Sequence, residues 1–429
     1  MSLAIFAAAC LPASPISGYM ADRYQNRRIP MTLGLLTILG ATIFFCFSTN
    51  IAMLVIARLF QGVSTAVIWT VGLALVIDTV DRKNIGQATG WTTVAQSIGV
   101  FSGPILGGIV YHNSGYYAVW AMCFAIVAVA IVLRVFIIEK KETKKWLPDS
   151  LTSTDTEATV VSQASNKPAT RSQETAVLSR APSDIEEGLP EKKGSPPKQK
   201  AFGHEFLGLI RKPRLLAALW GTLVEASIQT SFESTLPLFV HETFHWDSTG
   251  AGLIFLPIVI PTFLAPVVGK LGDRYGPKWL CAGGFAFTVP FFVCLRFVTD
   301  NSINHKVMLI AFLAGIGLGL TFVFAPLMAE ISWAVESDHQ EEDGIPPYAQ
   351  AYGLYNLAYS GGAIAGPLMG GLIRDSAGFA TVGWTFAIMS GFTAITQALW
   401  IGDNSLKTWR RKNSTSHQST NSEATVVAA

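Results

Sequence analysis

The sequence predicts an all-α integral membrane protein made of two repeated helical lobes. Three observations predict it. The 429 residues are 50% hydrophobic and 14% charged, with a mean hydropathy of +0.40, whereas soluble domains carry about 25% charged residues. Apolar runs of about 20 residues, the length that crosses a bilayer, recur along the chain. A glycine-proline run, Gly99-x-x-x-Gly103-Pro104-x-x-Gly107-Gly108, returns as Gly362-x-x-x-Gly366-Pro367-x-x-Gly370-Gly371. Soluble helices avoid such runs, because interior Gly costs ~1 kcal/mol and Pro ~3 kcal/mol. In a bilayer, small residues let backbones approach, and neighbouring helices satisfy the groups that a proline frees. One copy alone is common packing grammar; two long matched copies mark a repeat.

The spans follow in order: Ser2–Tyr19, Pro30–Phe47, Ile51–Thr79, Gly86–Tyr111 and Tyr116–Ile138, then Leu215–Val240, Ser248–Leu271, Trp279–Val298, Val307–Val335, Tyr348–Ile373 and Val382–Ile401. They define an amino-terminal lobe (1–138) and a carboxy-terminal lobe (214–401). Between them, 139–213 is read as a cytosolic linker. Its stretch Glu139–Gln199 is rich in Ser, Thr, Pro, Lys and Glu, buries too little apolar surface to offset chain entropy, and is expected to be disordered. Phe202–Ile210 reads as a short interfacial helix. The tail 402–429 is basic, then Ser/Thr-rich, and is expected to behave like the linker.

The lobes repeat each other. Gly18-Tyr-Met-Ala-Asp22-Arg23-Tyr24 matches Gly269-Lys-Leu-Gly-Asp273-Arg274-Tyr275 at an offset of 251 (269 − 18), and the glycine-proline run matches at 263 (362 − 99). Two spans precede Gly269 and one precedes Gly18, so the repeat implies six helices per lobe with the first of the amino-terminal lobe missing, about eleven in all. Lys and Arg set orientation. Arg23, Arg27, Arg28, Arg82, Lys83, the linker, Arg274, Lys278 and the tail share one side, which is therefore cytosolic.

Composition excludes several functions. A net charge of +2 gives no footprint for nucleic acid. The cysteines at 10, 46, 123, 281 and 294 lie in apolar spans without metal-ligand spacing, so no disulfide, metal or cofactor is expected. No phosphate-binding G-x-x-x-x-G-K-[ST] occurs, against an ATP-driven pump, and no nucleophile–base motif suggests an enzyme. The expected partners are the lipid bilayer, a small-molecule substrate and protons, with the chain acting as a monomer.

Polar residues inside spans carry the chemistry, because buried charge in a membrane is costly. Glu225, Gln229 and Glu233 are spaced i, i+4, i+8 on one helix face, ~15, ~21 and ~27 Å from Leu215. A carboxyl group in such a setting can exchange a proton near neutral pH. Leu236-Pro237 is expected to break that helix. Arg58 opens Arg58-x-x-Gln61-Gly62, ~12 Å below the outer surface, and is the expected partner of Glu225; snorkelling is the competing reading. Gln61, Trp69, Gln96, Gln229, Tyr355, Asn356 and Tyr359 are expected to face a central cavity. Asp22 is expected to cap a neighbouring helix, and its arginines to pair with an acid such as Asp78. Asp22, Arg27 and Asp78 should then cluster as a cytosolic latch with Gly18, Arg23, Gly269, Asp273 and Arg274, holding an outward-open state. A solvated positive loop is the plainer alternative.

These motifs resemble the major facilitator superfamily. The glycine-proline runs resemble its antiporter motif, and Gly18–Arg28 its loop between helices two and three. Gln25 and Asn26 stand where Gly and a basic residue are expected. Together with Arg58-x-x-Gln61-Gly62 and Glu233-x-x-Leu236-Pro237, they resemble the drug:proton antiporter group, near vesicular amine transporters and their fungal relatives that export secondary metabolites. The resemblance implies coupling roles for Glu233 and Arg58. It places Asn356 where the animal members carry a membrane Asp. It implies a proton-coupled exporter of small amphipathic compounds, in the plasma membrane. A uniporter or nutrient symporter, and a truncated protein that does not transport, remain the alternatives.

Overall fold

The computed structural model describes residues 2–24, 27–136, 208–339 and 347–402, and these form helices without strands. The amino-terminal lobe contains α1 (Ser2–Tyr24), α2 (Arg28–Cys46), α3 (Ile51–Thr79), α4 (Ile85–Ser114) and α5 (Tyr116–Phe136). The carboxy-terminal lobe opens with α6 (Pro213–Phe244) and then a broken span, α7 (Ser248–Leu253), α8 (Leu256–Val259), a 3₁₀ segment (Ile260–Leu264) and α9 (Ala265–Tyr275). It closes with α10 (Pro277–Cys294), α11 (Ile303–His339), α12 (Tyr348–Ala377) and α13 (Phe379–Trp400). Eight helical segments are long and apolar enough to cross a membrane. α6 and α12 are longer than most but more polar, and are not among those eight.

Local sequence explains two departures from expectation. The span from Ser248 is not continuous. Pro257, Pro261 and Pro266 lie within twelve residues or fewer of one another, and each removes a backbone donor and crowds the preceding turn. α6, by contrast, runs through Pro237 to Phe244. The expected break is absent there: neighbouring helices let a membrane helix continue past one lost donor. α4 and α12 likewise continue through Pro104 and Pro367.

The carboxy-terminal lobe has the denser core. Phe232 stacks on Phe292 at 5.9 Å, and Phe239 stacks on Phe379 at 4.0 Å. Phe386 joins the same aromatic group. In a bilayer, where hydrophobic burial no longer drives helices together, such close packing is what holds them. α6 packs on α12, α10 on both α11 and α13, and α2 on α3. Two seams join the lobes, α1 against α12 and α4 against α9. The expected linker Glu139–Gln199 and the tail from Asp403 lie outside the described residues, as do Gln25 and Asn26. Of Phe202–Ile210, residues 208–210 are described and are helical.

Candidate functional site

Both seams close at the face that bears Arg27 and Lys278, called here the basic face. The chemistry is the same in each. The Asp22 carboxylate, at the end of α1, accepts hydrogen bonds from the Ala349 and Gln350 backbone N–H groups at 3.2 and 2.7 Å. These are the first orphan donors of α12, where the helix dipole favours negative charge. The Asp273 carboxylate, at the end of α9, accepts from Gly86 N–H and Gln87 N–H at 2.7 and 2.9 Å, the first donors of α4. Each aspartate therefore caps a helix of the opposite lobe. Glycines permit the approach: a Cβ on Gly18 would run into the Ala349 carbonyl, and one on Gly269 into Gly86.

The first seam is charge-reinforced. Arg27 bridges Asp22 at 2.9 Å and Asp78 at 3.0 Å. Burial opposes its charge, and the two carboxylates more than offset that, so its pKa lies above the ordinary arginine value. Arg23 and Arg274 stand apart from this cluster: Arg23 donates to the Tyr19 hydroxyl, and Arg274 lies over the Tyr275 ring. Both are exposed.

Above the seams, α6 and α12 bring the cavity residues together. Glu225 is 3% exposed and makes no hydrogen bond or ion pair among the described residues. It lies within electrostatic reach of Tyr355 and Tyr359, which stack at 6.5 Å. Gln229 Nε2 donates to Glu233 Oε1 at 3.2 Å, and the Tyr359 hydroxyl donates to Gln229 Oε1 at 3.5 Å. Gln96 of α4 approaches Tyr359 from the other lobe, and its Oε1 is buried without a partner among the described residues. Trp69 packs at the edge of the core that includes Tyr355. Asn356 points the other way, into the seam with α1, where it donates to Ser14 Oγ at 2.8 Å.

Arg58 is a correction. It does not pair with Glu225 among the described residues. Its Nη1 donates to Gln61 at 3.2 Å, and its guanidinium sits 4.6 Å from the Phe45 ring centroid. A helix-local amide and an aromatic face, itself against Trp120 at 5.2 Å, hold the arginine within its own lobe, while its Nε is buried without a hydrogen-bond partner among the described residues.

The two glycine-proline runs are used differently. In α12, a Cβ on Gly362, Gly366 or Gly370 would strike Leu223, Ser227 or Ser231 of α6, so that run seats α6. In α4, a Cβ on Gly99, Gly103, Gly107 or Gly108 meets nothing within 4 Å among the described residues, and the same holds for Gly371.

Sequence reasoning missed the receiving ends of the seams and one ion pair. The receiving ends had a signal: Gly86-Gln-Ala-Thr-Gly90 and Ala349-Gln-Ala-Tyr-Gly353 align at 263 residues (349 − 86), the offset of the glycine-proline runs. Arg214 chelates the fully buried Glu330 at 2.5 and 3.0 Å, and Gly402 N–H adds a third bond at 3.0 Å. That ties the starts of α6 and the ends of α11 and α13, and no spacing rule links 214 to 330.

A duplicated helical lobe with mutual aspartate caps is matched by a profile described as the Major Facilitator Superfamily, over residues 1–338. The chain belongs to the major facilitator superfamily. It is a multi-pass membrane transporter of that family. The MFS-type transporter ppzB of Metarhizium majus is 32% identical over 422 residues, covering 93% of this chain and 90% of the relative. The synaptic vesicular amine transporter of Mus musculus is 23% identical over 373 residues, covering 86% of this chain and 59% of the relative. The crystal structure of the human organic anion transporter MFSD10 (TETRAN) shares the fold with a TM-score of 0.62 at 15% identity, covering 92% of this chain and 82% of that one.

Proposed function

We propose that the chain is a proton-coupled antiporter that exports small amphipathic organic compounds, with Glu225 and Glu233 as the proton carriers. The observation that carries this reading is Glu225: a carboxyl group buried mid-helix, within electrostatic reach of two tyrosines and without a cation partner among the described residues. A group in that position is stable when neutral and must gain or lose a proton for its charge to change. Glu233, two turns further along the same face and hydrogen-bonded to Gln229, supplies a second site. Tyr355, Tyr359 and Gln96 offer aromatic surface and hydrogen-bonding groups for an amphipathic substrate. Release of the proton leaves a carboxylate that a cationic or hydrogen-bonding substrate competes for.

In this reading the basic face is cytosolic, the latch of Asp22, Arg27 and Asp78 holds it shut, and the lobes rock around the cavity. Arg58, held on Phe45 and Gln61, acts within its lobe rather than as a direct partner of Glu225. The relatives' names support transport as the activity, and the second glycine-proline run, seating α6 on α12, supports antiport. The test is export of candidate metabolites from vesicles with an imposed pH gradient. Export that collapses with the gradient supports the proposal; export indifferent to the gradient favours the uniporter reading.

A further inference from the structure

We propose that Asn356 and Ser14 form an inter-lobe lock inside the membrane, an amide-to-hydroxyl bond that, unlike the carboxylate latch at the end of the same seam, does not itself change with protonation. The inference rests on the transport reading for its role, but the lock itself is tested without transport.

The lock lies one layer deeper than the latch, with Ser14 eight residues, ~12 Å, from Asp22 along α1. Asn356, Ser14 and Cys10 are 6%, 0% and 3% exposed. Ser14 Oγ donates its single proton to the Cys10 carbonyl at 2.7 Å. Its oxygen is then left to accept, and it accepts from Asn356 Nδ2 at 2.8 Å. The same nitrogen lies 3.5 Å from Cys10 Sγ. Both protons of the amide thus point into the other lobe. The backbones force this closeness: a Cβ on Gly353 would stand 2.7 Å from the Ser14 carbonyl oxygen.

Chemistry then decides which residue fits at 356. A carboxylate has no proton to give: Ser14 would have to turn its hydroxyl from the Cys10 carbonyl to meet it, and a charge would be left buried in the seam, where its desolvation is costly. A neutral carboxylic acid could donate. An acid here would therefore make the seam a proton-operated gate, closed when protonated and open when ionised. An amide donates at any pH. The titratable groups nearby leave that direction unchanged. From α1 there is Cys10. From α6 there is Glu225, which faces Tyr355 and Tyr359 of α12. At the seam's end Asp22 and, from α3, Asp78 are engaged by Arg27. The consequence is a division of labour: protons act through carboxyl groups, those of α6 and the cap at Asp22, while the deeper Asn356–Ser14 bond holds at any pH.

The experiment reads the seam through Cys10, in the full chain with Cys46, Cys123, Cys281 and Cys294 replaced by serine. The rate at which a membrane-impermeant maleimide labels Cys10 from the basic face is compared at about pH 5.5 and pH 8.5, each variant normalised to the parent at the same pH to remove the thiol's own reactivity. Ser14→Ala and Asn356→Ala should each speed labelling roughly three- to tenfold, the scale of one hydrogen bond, and the double variant no further. Asn356→Asp should label as fast as Asn356→Ala at the higher pH and as slowly as the parent at the lower. Asn356→Gln, which keeps a donor, checks folding and should show no pH dependence. Equal labelling of Asn356→Asp and parent at both pH values would overturn the lock. So would additive effects of the two alanine variants. If the lock holds while gradient-driven export is absent, the proton-coupled reading fails and the lock stands.

Discussion

Asp22→Asn is the perturbation that reads the latch most cleanly. The carboxylate of Asp22 accepts two backbone hydrogen bonds from the start of α12 and pairs with Arg27, with its side chain 12% exposed. Hydrogen bonds to a charged group contribute about 1.5–3 kcal/mol each. The amide keeps one acceptor for α12, loses the other, and presents its own donors to Arg27. The net loss is about 2–3 kcal/mol, after allowing for Arg27 keeping Asp78. The same loss applies only to the state closed at the basic face, because the bonds join different lobes. The equilibrium should therefore shift roughly 30- to 150-fold toward the opposite state. The assay is maleimide labelling of Cys10 from the basic face, with thermal stability in detergent as a check on folding. A rise in labelling of that order with melting temperature little changed is expected. Unchanged labelling, with transport also unchanged, would refute the latch.

Three further outcomes follow from packing and charge. Gly366→Val should prevent correct folding, since its side chain would meet the Ser227 carbonyl and Thr230 of α6, whereas Gly103→Val, with nothing within 4 Å among the described residues, should fold; size-exclusion profiles of the two decide. Glu330→Gln should destabilise by about 3–5 kcal/mol, because it sets a neutral amide against the Arg214 guanidinium where the buried carboxylate stood; a thermal shift in detergent measures it. Glu242 has its pKa held below the ordinary 4.5 by a hydrogen bond from Arg374. A depressed carboxylate stabilises the fold above that value and less as pH falls through its own, so Glu242→Gln should lower the melting temperature slightly at pH 7 and progressively less as pH falls below 4.5, and the difference should shrink at high salt because Glu242 is exposed.

What the sequence revealed depended on periodicity and repetition. Apolar spans and the doubled glycine-proline run carried the two-lobed helical fold, because a bilayer leaves few other options for the backbone. The i, i+4, i+8 face of Glu225, Gln229 and Glu233 was legible because helix geometry alone brings those three together. The cluster of Asp22, Arg27 and Asp78 was legible because the loop is short and the acid sits at a helix end. Contacts that depend on which helices become neighbours were not. Arg58 and Glu225 are complementary by depth and charge, yet Arg58 turns to Gln61 and Phe45 within its lobe. Asn356 looked like a cavity residue, and the rotation of α12 turns it to Ser14 instead. Arg214 and Glu330 are 116 residues apart, and nothing local announces their meeting. The span from Ser248 reads as continuous and its cluster of three prolines breaks it, whereas single Pro237, where a break is expected, does not break α6.

The central claim is that the proton travels on the carboxyl groups of α6, and proton movement itself tests it most directly. Purified protein in liposomes holding a trapped pH indicator is given substrate on one side with no imposed gradient, and proton counterflow is recorded against substrate uptake. The account predicts counterflow for the parent. For the Glu225→Gln, Glu233→Gln double variant it predicts none, with exchange of labelled for unlabelled substrate at equal pH retained. Undiminished proton counterflow in that double variant would contradict the account and place the coupling proton outside α6.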